Sequence, residues 1–217
     1  MYTYASKKMI YNNSDILALE KDYRANFINS LGGFKSLVLI GTKDAEGIAN
    51  LATFSSLFHL GANPALCGII IRPSNPERNT LGNILDTKYY TINHVNPNFF
   101  KKAHQCSAKY ATHINEFEAV GLTEEYLTDI HAPFVQESNI KFACELVQKI
   151  DIELNDTTLI IGKIVKIIVP AEYCNADGFI NLEQAQTVTC SGLDSYHITQ
   201  KLARLSYAKV DREVREI

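Results

Sequence analysis

Residues 142–169 read FACELVQKIDIELNDTTLIIGKIVKIIV. Phe142, Cys144, Leu146, Ile150, Ile152 and Leu154 fall on one parity, and Glu145, Lys149, Asp151 and Glu153 on the other. A period of two is that of a strand with one wet face. Residues 157–169 continue as a long β-branched run, and Gly162 inside it marks a bend or bulge. Working upstream, residues 36–42 predict a buried strand and Lys43-Asp44-Ala45-Glu46-Gly47 a polar turn. Residues 48–54 then form the returning strand of a hairpin. Further strands are expected at 65–71 and 89–95. Residues 14–31 predict one helix, with Ser14 as its cap, Asp15 in its first turn and Gly32-Gly33 as its stop. Residues 97–137 are less regular, with short helical pieces near 99–106 and 116–117, and Pro133 favours an extended connection. Asn175-Ala176-Asp177-Gly178 is a turn.

The pattern predicts a mainly β chain with peripheral helices, built as a mostly antiparallel barrel. No Gly-x-Gly-x-x-Gly joins a strand to a helix, and no Walker-type loop occurs. The expected organisation is a helical extension at 1–32 and one barrel domain at 33–217.

Composition narrows the function classes. The chain has 217 residues, 46% hydrophobic and 21% charged, enough for a core without disulfide or metal staples. A formal net charge of -3 gives no reason to expect nucleic acid or an anionic membrane as partner. No apolar run has the length of a bilayer span, and no secretion signal is visible, so the expected location is the cytoplasm. Cys67, Cys106, Cys144, Cys174 and Cys190 are widely spaced with no Cys-x-x-Cys, which reads as five small apolar residues in a reducing compartment.

Two segments could carry chemistry. Asn50-Leu51-Ala52-Thr53-Phe54-Ser55-Ser56 places amide and hydroxyl groups at the end of an apolar strand. That suits the polar edge of a flavin ring, and it equally suits a strand ending in a Ser-rich turn. Arg72-Pro73-Ser74-Asn75-Pro76-Glu77-Arg78-Asn79-Thr80-Leu81-Gly82-Asn83-Ile84 leaves a strand and enters a helix. Two arginines, a hydroxyl and free amides at a helix start suit a terminal phosphate; a solvated loop with a Thr cap fits as well. His104-Gln105-Cys106 with His113 matches no strong zinc pattern and reads as a polar helix face. His59 and His94, flanked by strand residues, read as structural histidines, with His94 the more notable for following Asn93 at a strand end.

At these segments the chain resembles the flavin-reductase-like family of FMN-binding split barrels. That family includes flavoredoxin-type proteins and the reductase components of two-component monooxygenases. The resemblance runs from about residue 33 to 209. Val38-Leu39-Ile40-Gly41-Thr42 with Asp44 and Gly47 is similar to the family's first hairpin. The 50–56 segment resembles Asn-x-Ala-Pro-x-Ser, with Thr53 where proline is usual. Arg78-Asn79-Thr80-Leu81-Gly82-Asn83-Ile84 resembles the phosphate segment Lys/Arg-Asp-Thr-x-x-Asn-Ile, with Asn79 replacing Asp. Glu116-Phe117-Glu118-Ala119-Val120-Gly121-Leu122-Thr123 is similar to Glu-Phe-x-x-x-Gly-Leu-Thr. Glu137-Ser138 and Cys144-Glu145-Leu146 also fit. Gly192-Leu193-Asp194-Ser195-Tyr196 and Ala203-Arg204-Leu205-Ser206-Tyr207-Ala208-Lys209 resemble the flavoredoxin-like subgroup.

The resemblance implies an FMN-binding split β-barrel and a homodimer with FMN near the subunit interface. The implied contacts are Asn50, Leu51, Ala52, Thr53, Ser55 and Ser56. Of these, Asn50, Thr53, Ser55 and Ser56 would line the ring and ribityl chain, while Arg72, Arg78, Asn79 and Thr80 would hold the phosphate. The implied function is an oxidoreductase passing electrons from NAD(P)H through FMN to a flavin, oxygen or a protein acceptor. A flavoredoxin-type carrier without direct NAD(P)H oxidation, and a split barrel without flavin serving a structural or heme-handling role, are the alternatives. Tyr196 would either cover the ring or fill a core or interface position.

Overall fold

The computed structural model describes residues 8–73 and 79–217. The chain begins with two helices, α1 (Asn13–Ala18) and α2 (Lys21–Leu31), where the sequence predicts one. The break has a local cause. Glu20 accepts hydrogen bonds from the backbone N–H groups of Asp22 and Tyr23 and so caps a second helix. At the first, Asn12 replaces Ser14 as the cap: its side chain accepts from Asp15 N–H while the Asp15 carboxylate accepts from Asn12 N–H. Gly32 remains right-handed, and Gly33 takes the left-handed conformation at φ 67°.

The strands that follow are β1 (Lys35–Ser36), β2 (Val38–Lys43), β3 (Ala49–Phe54), β4 (Phe58–Ala62) and β5 (Ala65–Ile71). Helix α3 (Asn79–Thr87) leads to β6 (Tyr89–His94), then α4 (Phe100–Gln105) and α5 (Glu116–Val120). The chain continues through β7 (Glu124–Leu127), β8 (Ile130–Val135), β9 (Lys141–Ile152) and β10 (Thr157–Ile168). It closes with β11 (Val188–Ser191) and β12 (Ser195–Ile198). Seven strands form one antiparallel sheet in the order β3-β2-β6-β9-β10-β5-β4. Its edges, β3 and β4, are consecutive in sequence and joined through Ser55, Ser56 and Leu57, so the open seam lies at the segment singled out above. Smaller sheets, β1-β11-β12 and β7-β8, cover its flanks. The expected mainly β architecture with peripheral helices is the one observed.

Strand β2 explains why the barrel has two apolar layers. Val38 and Ile40 enter one core cluster with Ile69, Tyr90, Ile92 and Ile160, and Leu37 and Leu39 a second with Leu51, Val95, Phe99 and Phe117. Alternation sends successive side chains to opposite faces, and here both faces are dry.

Five strands escaped the sequence reading: β4, β7, β8, β11 and β12. Strand β4 is exposed along most of its length and carries little apolar pattern. The β7-β8 pair lies in the segment read as irregular, with Pro133 inside β8. Pro133 is tolerated because its carbonyl, not an N–H, makes the contact, accepting from Thr91 Oγ1 at 2.5 Å. Gly41 lets that carbonyl approach: a Cβ there would sit 2.2 Å from the Pro133 oxygen. The parity reading of β9 also needs amendment. Lys141 and Ala143, on the expected wet face, are buried, with Lys141 held by Glu125 and by the carbonyls of Val135 and Gln136. Beyond Glu145 strand β6 ends, so only β10 flanks β9, and Val147 and Ile150 reach solvent. Gly162 does mark a register shift between β9 and β10.

Candidate functional site

The site grows from a buried hydroxyl. Thr42, at the end of β2, is fully buried, and its Oγ1 accepts from Asn50 Nδ2 on β3 and from Asn83 Nδ2 on α3, both at 3.1 Å. Asn50 Nδ2 also donates to Thr80 Oγ1 at 3.1 Å. Four polar side chains thus close one network where a strand end meets the first turns of a helix, whose N-terminal end carries positive partial charge. This brings together Asn50 and Thr80, one residue from each candidate segment. Thr42 and Asn83 were not among the candidates, although Asn83 stands in the quoted phosphate-like motif. Nothing in the local pattern separates Thr42 from any strand threonine.

Strand β3 is a sheet edge, so its outward backbone groups need partners. Leu51 N–H donates to Glu116 Oε2 at 3.0 Å. Burial pushes the Glu116 carboxyl above its ordinary range, partly offset by that N–H. Thr53 Oγ1 donates to the Ala103 carbonyl on α4. Ser55 is half-buried just after β3, and the Cys190 thiol on β11 donates to the Ser36 carbonyl at 3.8 Å. Ser56 Oγ donates to Ile70 O and accepts from Ile70 N–H, each at 3.0 Å, so it prolongs the β4–β5 ladder by one rung. Ala52 is half-buried in the middle of β3.

Among the phosphate candidates, Thr80 lies inside the network. The Arg72 guanidinium is exposed and donates to Asn29 Oδ1 on α2 at 3.1 Å. Asn79 opens α3. Arg78 lies outside the described residues. The chain therefore fits a phosphorylated planar cofactor in two respects: hydroxyl and amide groups at a strand edge, and a polar, buried helix start.

The remaining candidates resolve as structure. His94 is half-buried, with Nδ1 3.3 Å from Thr187 Oγ1, and desolvation lowers its pKa to about 4, so it is a neutral imidazole. His59 is exposed on β4. Among the described residues, no group of three or more His, Cys, Asp or Glu side chains could hold a metal ion. Four of the five cysteines are buried and all are free; burial pushes Cys106 up to about 12. Tyr196 on β12 is half-buried, and its hydroxyl is hydrogen-bonded to His104 Nδ1 on α4. No helix of the described residues is long and apolar enough to cross a membrane.

Comparison with known proteins bears on the fold and the family. The chain is similar to a split-barrel protein of Shewanella frigidimarina NCIMB 400 assigned as a flavin reductase: 51% identity, 93% of this chain and all of that one, TM-score 0.89. Nitrilotriacetate monooxygenase component B from Bacillus cereus shares the fold at 19% identity, over 92% of this chain and all of that one, with TM-score 0.81. Flavoredoxin of Desulfovibrio vulgaris (Miyazaki F) shares it at 19% identity, over 82% of this chain and 92% of that one, with TM-score 0.68. Residues 31–179, more than half of the sequence, match the flavin reductase like domain, and the chain belongs to that family.

Proposed function

We propose that this chain binds FMN at the β3–α3 junction and serves as an NAD(P)H-dependent oxidoreductase. The observation that carries the reading is the Asn50–Thr80 hydrogen bond. It joins the strand suited to a flavin's polar edge to the helix start suited to its phosphate. Thr80, the first turn of α3 and Arg78 would hold the phosphate. Asn50, Thr53, Ser55 and Ser56, with the Leu51 and Ala52 backbone, would lie along the ring and ribityl chain. Once bound, FMN supplies hydride and single-electron transfer, which no side chain of this site offers.

The chain's own part is positioning. Glu116 holds the outer edge of β3 through Leu51 N–H. Thr53 fixes α4 against the strand end, and Ser56 holds the segment after β3 to β5. These contacts keep the strand rigid and so lower the ordering cost of binding. Electrons would come from a nicotinamide donor and leave to a flavin, oxygen or a protein acceptor, in the cytoplasm. The working unit would be a homodimer. Supporting that, Val147, Val165 and Ile167 leave apolar surface on the β9–β10 hairpin.

The test is the absorbance spectrum of purified protein before and after FMN, then anaerobic mixing with NADH and with NADPH. Uptake of FMN followed by rapid bleaching is expected. Uptake without bleaching would make the chain a carrier, and no uptake would overturn the reading.

A further inference from the structure

One depression outside the Asn50–Thr80 network has aromatic walls. Phe100 and His104 lie one turn apart on α4. With Tyr196 on β12 they line a cavity of about 240 Å³ that has Lys101 and Asp194 at its rim. The Phe100 and Tyr196 ring centroids are 5.7 Å apart, tilted by 58°. His104 meets Tyr196 edge-on at 5.7 Å and 84°. Their hydrogen bond fixes both rings. Burial raises the Tyr196 pKa, which keeps the hydroxyl protonated at neutral pH.

The pocket is tied to the end of β3 through α4. Thr53 bonds the Ala103 carbonyl, which lies between Phe100 and His104 in sequence. Cys190 is the cross-strand partner of Tyr196, and its thiol donates to the Ser36 carbonyl on β1 of the same sheet. Phe100 and Tyr196 also pack on the core cluster containing Leu51, Val95 and Phe99, which makes the rear wall firm. The volume is below the roughly 300–1,000 Å³ of sites for drug-sized ligands, so it suits a single ring, the rest of a larger ligand lying outside it. Aromatic faces favour a planar ring. The hydroxyl–imidazole pair and Lys101 favour a carbonyl or carboxylate substituent on that ring.

We propose that the Phe100–His104–Tyr196 pocket binds the planar ring of the second reactant, an aromatic ring bearing a carboxamide or carboxylate, and holds it beside the strand that carries the flavin. This rests on the flavin reading above. Two sources share that chemistry: the nicotinamide of the donor and the ring of an aromatic acceptor.

The test uses saturation-transfer NMR with free nicotinamide and with benzoate, on the chain with and without FMN, for wild type, Tyr196→Phe, Tyr196→Ala and His104→Ala. FMN affinity of each protein is measured by fluorescence titration. Wild type should saturate ring protons of at least one probe. Tyr196→Ala and His104→Ala should weaken that probe about fivefold to tenfold and Tyr196→Phe less, with FMN affinity unchanged within about twofold. A nicotinamide response would assign the pocket to the donor, and a benzoate response to the acceptor; either supports the proposal. It is overturned if neither probe binds, if the alanine variants bind as wild type does, or if Tyr196→Ala weakens FMN as much as the probe. Failure of wild type to take up FMN would sink the flavin reading instead, and ring binding to the FMN-free chain is read separately.

Discussion

Asn50 and Thr80 are hydrogen-bonded through Nδ2 and Oγ1 at 3.1 Å, across a gap of 30 residues in sequence. The bond ties the edge strand β3 to the first turn of α3, and Thr42 closes the triangle from β2. Thr80→Val removes the acceptor and leaves Asn50 with Thr42 alone. A stability loss of about 1 kcal/mol is expected by urea titration, and FMN affinity should fall about tenfold by fluorescence titration. Thr80→Ser should restore both. Wild-type affinity in Thr80→Val would remove this residue from the phosphate site.

Gly162 faces Tyr90 and Cys144 across the barrel interior. A Cβ at 162 would lie 2.0 Å from the Tyr90 hydroxyl and 2.9 Å from Cys144 Cβ. Gly162→Ala should therefore cost about 1–3 kcal/mol, seen as a lower Tm in calorimetry. The Tyr90 hydroxyl is buried without a hydrogen-bond partner among the described residues. Tyr90→Phe alone should be close to neutral and should recover part of the Gly162→Ala loss. Strictly additive effects would show that the two groups do not meet.

His94 sets an acid limit. Its folded pKa is about 4, lowered by burial, against about 6.5 when unfolded. Between those values the unfolded chain binds the extra proton, so stability rises with pH. The expected loss on acidification from pH 6.5 to 4 is about 3 kcal/mol, and His94→Gln should flatten that part of the profile. An unchanged slope of Tm against pH in His94→Gln would show that another group controls it.

Cys174 is exposed, and the other four cysteines are buried. Ellman's reagent should label one thiol quickly in native protein and all five after denaturation. Cys174→Ser should abolish the fast phase. Fast labelling that persists in this variant would mean that the barrel interior opens readily.

Val165 and Ile167 leave apolar surface on β10, at 39% and 58% exposure. If this face joins two copies, Val165→Asp with Ile167→Asp should shift the mass from dimer to monomer in light scattering, with the circular dichroism unchanged. A monomeric wild type, or a variant that stays dimeric, would remove this face from the interface.

The sequence by itself determined the strands whose pattern is local. Residues 36–54 announce the first hairpin because apolar runs flank a polar turn with glycine, and 157–169 announce a strand because β-branched residues dominate. Gly162 was legible as a bulge for the same reason. The sequence also placed the two candidate segments, through motif order along the chain. Tertiary structure alone decided the rest. Strand β4 and the β7–β8 pair form because neighbouring backbones supply their hydrogen bonds, and their side chains carry little of that information. The Thr42–Asn83, Asn50–Thr80, Glu116–Leu51 and His104–Tyr196 contacts form only when elements distant in sequence come together. Hydrogen bonds act over about 3 Å, and sequence spacing holds no record of which distant atoms the fold will bring within that distance.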